Sequence, residues 1–354
     1  MPGRVPSVSW GSTPWGLPIA DLDAGVEYAA HDLDVLQGSR VLVTGGTGFL
    51  GSWLVASLLR ANERLNLGLQ LVLLSRDPGA VPLVEGPALH LLPGDVRSLP
   101  DPGSVDIIVH GATSSSSTGL SADGQPAQMA STIIGGTLAV LELAKRCHAR
   151  LLMLSSGAVY GPQLNTVAED CNTAPDPLSA SSVYAQAKRL AEALCAAAAE
   201  AGDVTAVIAR LFAFVGPRIP LDAHFAAGNF LNDALRGQSI AVQGDGRPRR
   251  SYLYAGDLPE WCWALLTRGR PGVAYNVGSP EPVTIEELAW RTARLVSPPA
   301  DVHVLGPRDE GPPPWYVPST ARAELEFGLR PRTDLDTALH NTYKWLIARR
   351  ASSA

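Results

Sequence analysis

Val41-Leu-Val-Thr-Gly-Gly-Thr-Gly-Phe-Leu-Gly51 decides how the rest of this chain is read. A short apolar run breaks into three glycines, Gly45, Gly48 and Gly51, at three-residue spacing. Phe49, Leu50, Trp53, Leu54, Ser57 and Leu58 then recur at helical spacing as one largely apolar stripe. The pattern is strand, tight turn, helix. Glycines at such a turn let a ligand come close to the backbone, and the start of the helix offers unbonded N–H groups and the positive end of its dipole. Gly45, Gly48, Phe49, Leu50 and Gly51 are therefore expected against the pyrophosphate of a dinucleotide.

Outward from this loop, short apolar runs alternate with helical stretches. Arg40 to Thr44, Leu69 to Leu74, Val105 to His110, Arg150 to Leu154 and Val204 to Ala209 read as strands. Phe49 to Arg60, Gly135 to Cys147 and Tyr184 to Ala201 read as helices between them. This alternation predicts an α/β fold with a parallel, doubly wound sheet and right-handed crossovers. Residues 1–37 show no sustained periodicity and read as an N-terminal extension, a tail whose Trp10 and Trp15 pack on the body or on a neighbouring subunit. Residues 38–215 form the dinucleotide-binding domain. Residues 216–354, with prolines clustered at Gly311 to Pro314, form mainly a smaller C-terminal α/β substrate domain, with the chain crossing back to the core.

A chain of 354 residues, 46% hydrophobic and 18% charged, buries a large core. Its formal charge of -6, with no run of Lys or Arg, argues against a nucleic-acid partner. No apolar stretch approaches the roughly 20 residues that span a bilayer, and the start lacks signal-peptide order, so neither a membrane nor export is expected. Cys147, Cys171, Cys195 and Cys262 form no paired spacing, which suggests no metal site and a reducing, cytoplasmic setting.

The second strand ends Leu74-Ser75-Arg76-Asp77, where an NAD-binding protein usually puts an acid on the ribose hydroxyls. Ser75 and Arg76 would accept a 2′-phosphate, so the cofactor is NAD or NADP with a lean to NADP. Asp95, before Val96, either accepts from an adenine amino group or caps a turn.

Tyr184 and Lys188 stand four apart on a helical stretch, on one face. An ammonium beside a phenol favours tyrosinate, and the phenol can then exchange a proton with a substrate hydroxyl. Ser156, in Leu154-Ser-Ser-Gly-Ala-Val-Tyr-Gly161, ends a strand at the sheet edge where such folds bind ligand.

Together these elements resemble the extended short-chain dehydrogenase/reductase family, in its nucleotide-sugar epimerase, dehydratase and reductase branch, from about Ser39 to Trp345. The resemblance implies a Rossmann fold, a Ser156, Tyr184 and Lys188 triad, and Lys188 on the nicotinamide ribose. Val109-His-Gly-Ala-Thr113 looks like the family's cofactor-lining loop, with Ala112 in contact. His224-Phe-Ala-Ala-Gly-Asn229 and Arg249-Arg-Ser-Tyr-Leu-Tyr-Ala-Gly-Asp257 look like substrate motifs in which Asn229 and Arg250 grip a diphosphate, a task suited to an arginine fork. Asn276 is treated as structural. A nucleoside-diphosphate sugar is the implied substrate, and a homodimer formed through two helices per subunit is the implied assembly.

Two positions depart from that pattern. Where the family's 4,6-dehydratases carry Asp-Glu, this chain has Gly157 and Ala158, which transfer no proton. Ile133 stands where many relatives have an asparagine. The expected function is therefore a nucleotide-sugar epimerase. An NADPH-dependent 4-keto-sugar reductase is the alternative, followed by dehydratase or uronate decarboxylase chemistry and last by a non-catalytic cofactor sensor.

Overall fold

A computed structural model of the chain describes residues 13–82, 85–113, 126–222 and 225–353; Trp10 and His224 lie outside the described residues. Two helices precede the glycine loop, α1 (Ile19–Tyr28) and α2 (Ala30–Asp34). Then follow β1 (Arg40–Thr44), α3 (Phe49–Leu65), β2 (Gln70–Ser75), β3 (Leu89–Pro93) and β4 (Ile107–His110). Next come α4 (Pro126–Cys147), β5 (Arg150–Ser156), α5 (Val183–Glu200) and β6 (Thr205–Leu211). The remainder supplies β7 (Ala213–Val215), α6 (Ala226–Leu235), β8 (Ile240–Val242), β9 (Arg249–Arg250), β10 (Tyr252–Tyr254), α7 (Leu258–Arg268) and β11 (Ala274–Val277). The chain closes with β12 (Val283–Thr284), α8 (Ile285–Ala293), β13 (Val302–Val304), β14 (Trp315–Tyr316), α9 (Ala321–Phe327) and α10 (Leu335–Ser353).

A seven-stranded sheet runs in the order β11-β6-β5-β4-β1-β2-β3, parallel at every pairing. Val41 and Val43 face one layer, with Trp53, Trp261 and Trp263, while Leu42 faces the other, with Ile133 and Val140. Both faces are covered, which is why the strands read as continuous apolar runs. Strand order reverses between β1 and β4, and ligands bind at the carboxyl ends of strands at such a switch point. α7 and β11 come back to this layer from the C-terminal half.

The described residues from β7 onward otherwise build a second core. Phe230 and Leu231 of α6, Leu288 of α8 and Trp345 of α10 pack there with short strand pairs. β7 pairs with β10, β8 with β13, and β9 sits between β12 and β14.

Two expectations are corrected. The N-terminal stretch is no tail over its described part: Trp15, Leu22, Val26, Leu33 and Leu36 are buried in the core shared with α3 and α7. Asp32 holds Arg268 through both carboxylate oxygens at 2.8 and 2.9 Å, and Gly16 accepts from the Trp345 indole at 2.6 Å. The second concerns α4, which starts at Pro126 rather than Gly135 and is long and apolar enough by composition to cross a membrane. In this fold it lies against α5 with Met129, Ile133, Val140 and Leu143 buried.

Candidate active site

The glycine loop lies where the strand order reverses. Gly45 has φ +74°, and a Cβ there would come within 2.6 Å of the Gly111 carbonyl carbon and oxygen after β4. A Cβ on Gly51 would lie 2.1 Å from the Gly45 carbonyl oxygen. Neither position admits a side chain, so the start of α3 presses against its own loop with Thr47 and Gly48 exposed at the tip. Phe49 and Leu50 open α3 half-buried. Beside them a cavity of about 410 Å³ is lined by Thr47, Ser75, Arg76, Asp77 and Val81. A dinucleotide suits this arrangement, with its pyrophosphate at the helix start and its ribose edge at Ser75 and Arg76.

His110 anchors the loop from below. Its Nδ1 lies 2.8 Å from Thr44 Oγ1 and its Nε2 3.4 Å from Thr137 Oγ1. Burial, with Lys188 nearby, holds the imidazole down to about 3, so it is neutral. Thr44 also accepts from Ala112 N–H at 3.3 Å, which fixes Ala112 against β1. Asp95 caps a turn: it accepts from the Arg97 backbone at 2.9 Å and pairs with the Arg97 guanidinium at 2.9 and 2.8 Å. That side-chain pairing holds its carboxyl at about 2. Val96 is buried under Gly136.

β5 carries Ser155 and Ser156 to the carboxyl edge, and α5 brings Tyr184 and Lys188 beside them. Ser156 accepts from Ala158 N–H at 3.2 Å, and Lys188 Nζ donates to the Leu154 carbonyl at 2.7 Å. Burial brings Lys188 down to about 8, opposed by Glu192. The expected lowering of the Tyr184 phenol is corrected. Burial pushes it up to about 12, with a hydrogen bond to Ser156 opposing the rise and Tyr316 adding to it. Lys188 has turned to the backbone instead, so desolvation wins.

Behind the triad, Ser155 and Arg210 both bind Glu192, Arg210 at 3.1 and 2.7 Å, and Arg210 donates to Tyr160 at 2.7 Å. Tyr160 donates to Asn276 Oδ1 at 2.8 Å, while the Asn276 amide bonds the Val167 and Ser319 carbonyls. This network ties β5, β6, β11 and α5 together and makes Asn276 a strut.

Of the two residues expected at a diphosphate, Arg250 stands at the rim, its guanidinium 5.4 Å from the Tyr316 ring centroid. Asn229 is exposed on α6 and makes no side-chain hydrogen bond among the described residues. Tyr316 itself, with its hydroxyl 3.5 Å from Ser156 Oγ, was not anticipated. It lies 160 residues further along the chain in a proline-flanked stretch, and no local motif marks it. Phe212 was missed as well. Its ring sits 2.7 Å from where a Gly157 Cβ would be, filling the space of the side chain that Gly157 lacks.

The model of the NAD-dependent epimerase/dehydratase family matches residues 41–278. The chain belongs to that family, within the extended short-chain dehydrogenase/reductase enzymes. It is 32% identical over 308 residues to UDP-glucuronic acid decarboxylase 2 of Arabidopsis thaliana, covering 86% of this chain and 67% of that one. UDP-glucuronic acid decarboxylase 1 of Danio rerio is 30% identical over 307 residues, covering 86% and 72%. Among solved structures, MoeE5 in complex with UDP-glucuronic acid and NAD is 26% identical with a TM-score of 0.71, covering 88% of this chain and 99% of that one. DesIV of Streptomyces venezuelae, a dTDP-glucose 4,6-dehydratase solved with NAD, is 25% identical with a TM-score of 0.74, covering 88% and 98%.

Proposed function

We propose that this chain is a nucleotide-sugar epimerase that transiently oxidises a sugar hydroxyl. The observation carrying this reading is the convergence of Ser156, Tyr184 and Lys188 at the carboxyl edge of the sheet, beside a turn at Gly157 and Ala158 that holds no carboxylate. Tyr184, its phenol brought down from about 12 by Lys188 and by the added positive charge of a bound nicotinamide, takes the proton of the sugar hydroxyl and later returns it. Ser156 holds the reacting oxygen, and Lys188 supplies a buried positive charge beside the pair. A nicotinamide bound at the glycine loop supplies the two-electron acceptor and donor. Arg250 and Asn229 are assigned to the diphosphate. Ser75 and Arg76 favour the 2′-phosphorylated cofactor, since Arg76 offers a cation at the ribose edge.

A second reading, uronate decarboxylation, is favoured by the relatives named as UDP-glucuronic acid decarboxylases. Against it, Ala158 stands where the resemblance places a glutamate in the family's uronate decarboxylases, although carbon–carbon cleavage itself needs no acid there. Oxidising the hydroxyl β to a sugar carboxylate gives a β-keto acid, which releases CO2 as the bond electrons pass into the ketone; the enolate then takes a proton from solvent, and return of the hydride from the reduced cofactor would restore the hydroxyl. A 4,6-dehydratase route lacks its proton donors, and a Gly157 side chain would collide with Phe212. A homodimer is proposed through α4 and α5, where Leu138 and Leu190 are 50% and 45% exposed.

NMR of the protein in D2O with UDP-, dTDP-, GDP- and CDP-sugars, UDP-glucuronic acid included, tests the reading with NAD+, NADP+ and their reduced forms. A stereoisomer with no net change in NAD(P)H absorbance is expected, and Tyr184→Phe should lose at least about a hundredfold in turnover while still binding cofactor. A CO2-depleted pentose product would replace the epimerase with the decarboxylase, and stoichiometric NADPH loss would make it a reductase. An active Tyr184→Phe would remove the triad from the chemistry. Sedimentation velocity on the same sample should return a dimer.

A further inference from the structure

Ser156 and Tyr316 meet from opposite halves of the molecule. β14 lies in register with β9, Trp315 opposite Arg249 and Tyr316 opposite Arg250. On its other side Trp315 N–H donates to the Gln163 carbonyl at 2.7 Å. The Tyr316 ring packs 4.9 Å from Phe212 and beneath the Arg250 guanidinium. Strand pairing and ring packing thus aim one hydroxyl at Ser156 Oγ.

A serine hydroxyl has one proton to donate and two lone pairs to accept with. Ala158 N–H occupies one lone pair of Ser156. A second donor on the remaining lone pair leaves the serine proton a single direction, toward Tyr184. We propose that Tyr316 is that second donor, a positioning residue whose hydroxyl commits the Ser156 proton to Tyr184 and the oxygen that Tyr184 serves. The inference rests on the assignment of Ser156 and Tyr184 to the reacting hydroxyl. At 3.5 Å the two oxygens stand further apart than the roughly 2.8 Å of a formed O–H···O bond. Hydrogen bonds of this kind shorten when substrate fills a site.

The charges around the pair fit the assignment. Burial raises the Tyr316 phenol above its ordinary value against the pull of Ser156, Arg250 and the Ala158 N–H that also reaches its oxygen, so it remains a protonated donor at neutral pH. On α5, Lys188 faces the Leu154 carbonyl, and Glu192 is engaged by Ser155 and Arg210. Neither competes for Ser156.

Tyr316→Phe keeps the ring against Phe212 and Arg250 and removes the hydroxyl alone. In full-length protein labelled with 13Cζ-tyrosine, with Tyr184 assigned by its Phe variant, the Tyr184 shift at pH 8 reports the hydrogen bond its oxygen accepts. In Tyr316→Phe it should move in the same direction as in Ser156→Ala, with the Tyr160 signal unmoved. With a turned-over sugar, kcat should fall about tenfold at unchanged KM. An unmoved Tyr184 signal overturns the inference. Movement opposite to Ser156→Ala also overturns it, because Ser156 would then be donating to Tyr316. If the expected shift appears in protein that turns over no nucleotide sugar, the functional reading falls and the coupling stands.

Discussion

Lys188 is a cation placed where water scarcely reaches, 4% exposed, with its ammonium on one backbone carbonyl. Burial holds it near 8 against its ordinary 10.5. Below pH 8 the group is protonated in both folded and unfolded chains, and the desolvation penalty acts in full. Between about 8 and 10.5 the unfolded chain holds more protons, so stability rises with pH through that window. The stability of Lys188→Met relative to the parent should therefore be highest below pH 8 and decline toward 10.5, measured by urea unfolding at a series of pH values. A difference that does not change with pH would place Lys188 in water. At this scale the sequence named Ser156, Tyr184 and Lys188, which the fold brings together, because spacing on one helix and position at a strand end are local properties. It misjudged the protonation of Tyr184, because desolvation depends on everything packed around the phenol.

The strand-turn-helix element at β1 and α3 was legible for a steric reason. Where a Cβ would sit 2.1 Å from a backbone oxygen, as at Gly51, only glycine closes the turn. Gly51→Ala should accordingly lose cofactor binding by calorimetry, and retained affinity would show that α3 can shift away without cost. Helix starts were less legible. α4 begins in Pro126-Ala-Gln-Met, where polar residues at the exposed face blur the apolar period. Short strands such as β9 and β14, two residues each, have no periodicity to read and exist through their partners.

At the scale of the molecule, the N-terminal helices join the two halves. Tyr254 of the second core donates to Asp21, and Arg349 of α10 donates to the Trp15 carbonyl. The Arg218 guanidinium lies 5.4 Å from the Trp15 ring centroid and donates to the Thr47 carbonyl in the glycine loop at 3.0 Å. Trp15→Ala should cost about 3–5 kcal/mol in urea unfolding, as for other buried aromatic truncations. It should also weaken cofactor binding, because Arg218 loses the ring that seats it. Unchanged stability would mean that this segment is not part of the cooperative core. The signal for these helices was present in the sequence: Leu22, Val26, Ala29, Leu33 and Leu36 recur at intervals of four and three, overshadowed by the glycines and prolines before them.

By itself the sequence determined the doubly wound sheet, the glycine loop and the placing of Tyr184 and Lys188 on one helix face, since each follows from periodicity, backbone sterics or spacing within one element. Tertiary structure alone decided that Tyr316 faces Ser156, that Phe212 fills the place beside Gly157, and which helices, α3 and α7, the N-terminal apolar face packs against. Those contacts join residues far apart in the chain, and their energies come from burial and partners that no local stretch of sequence contains.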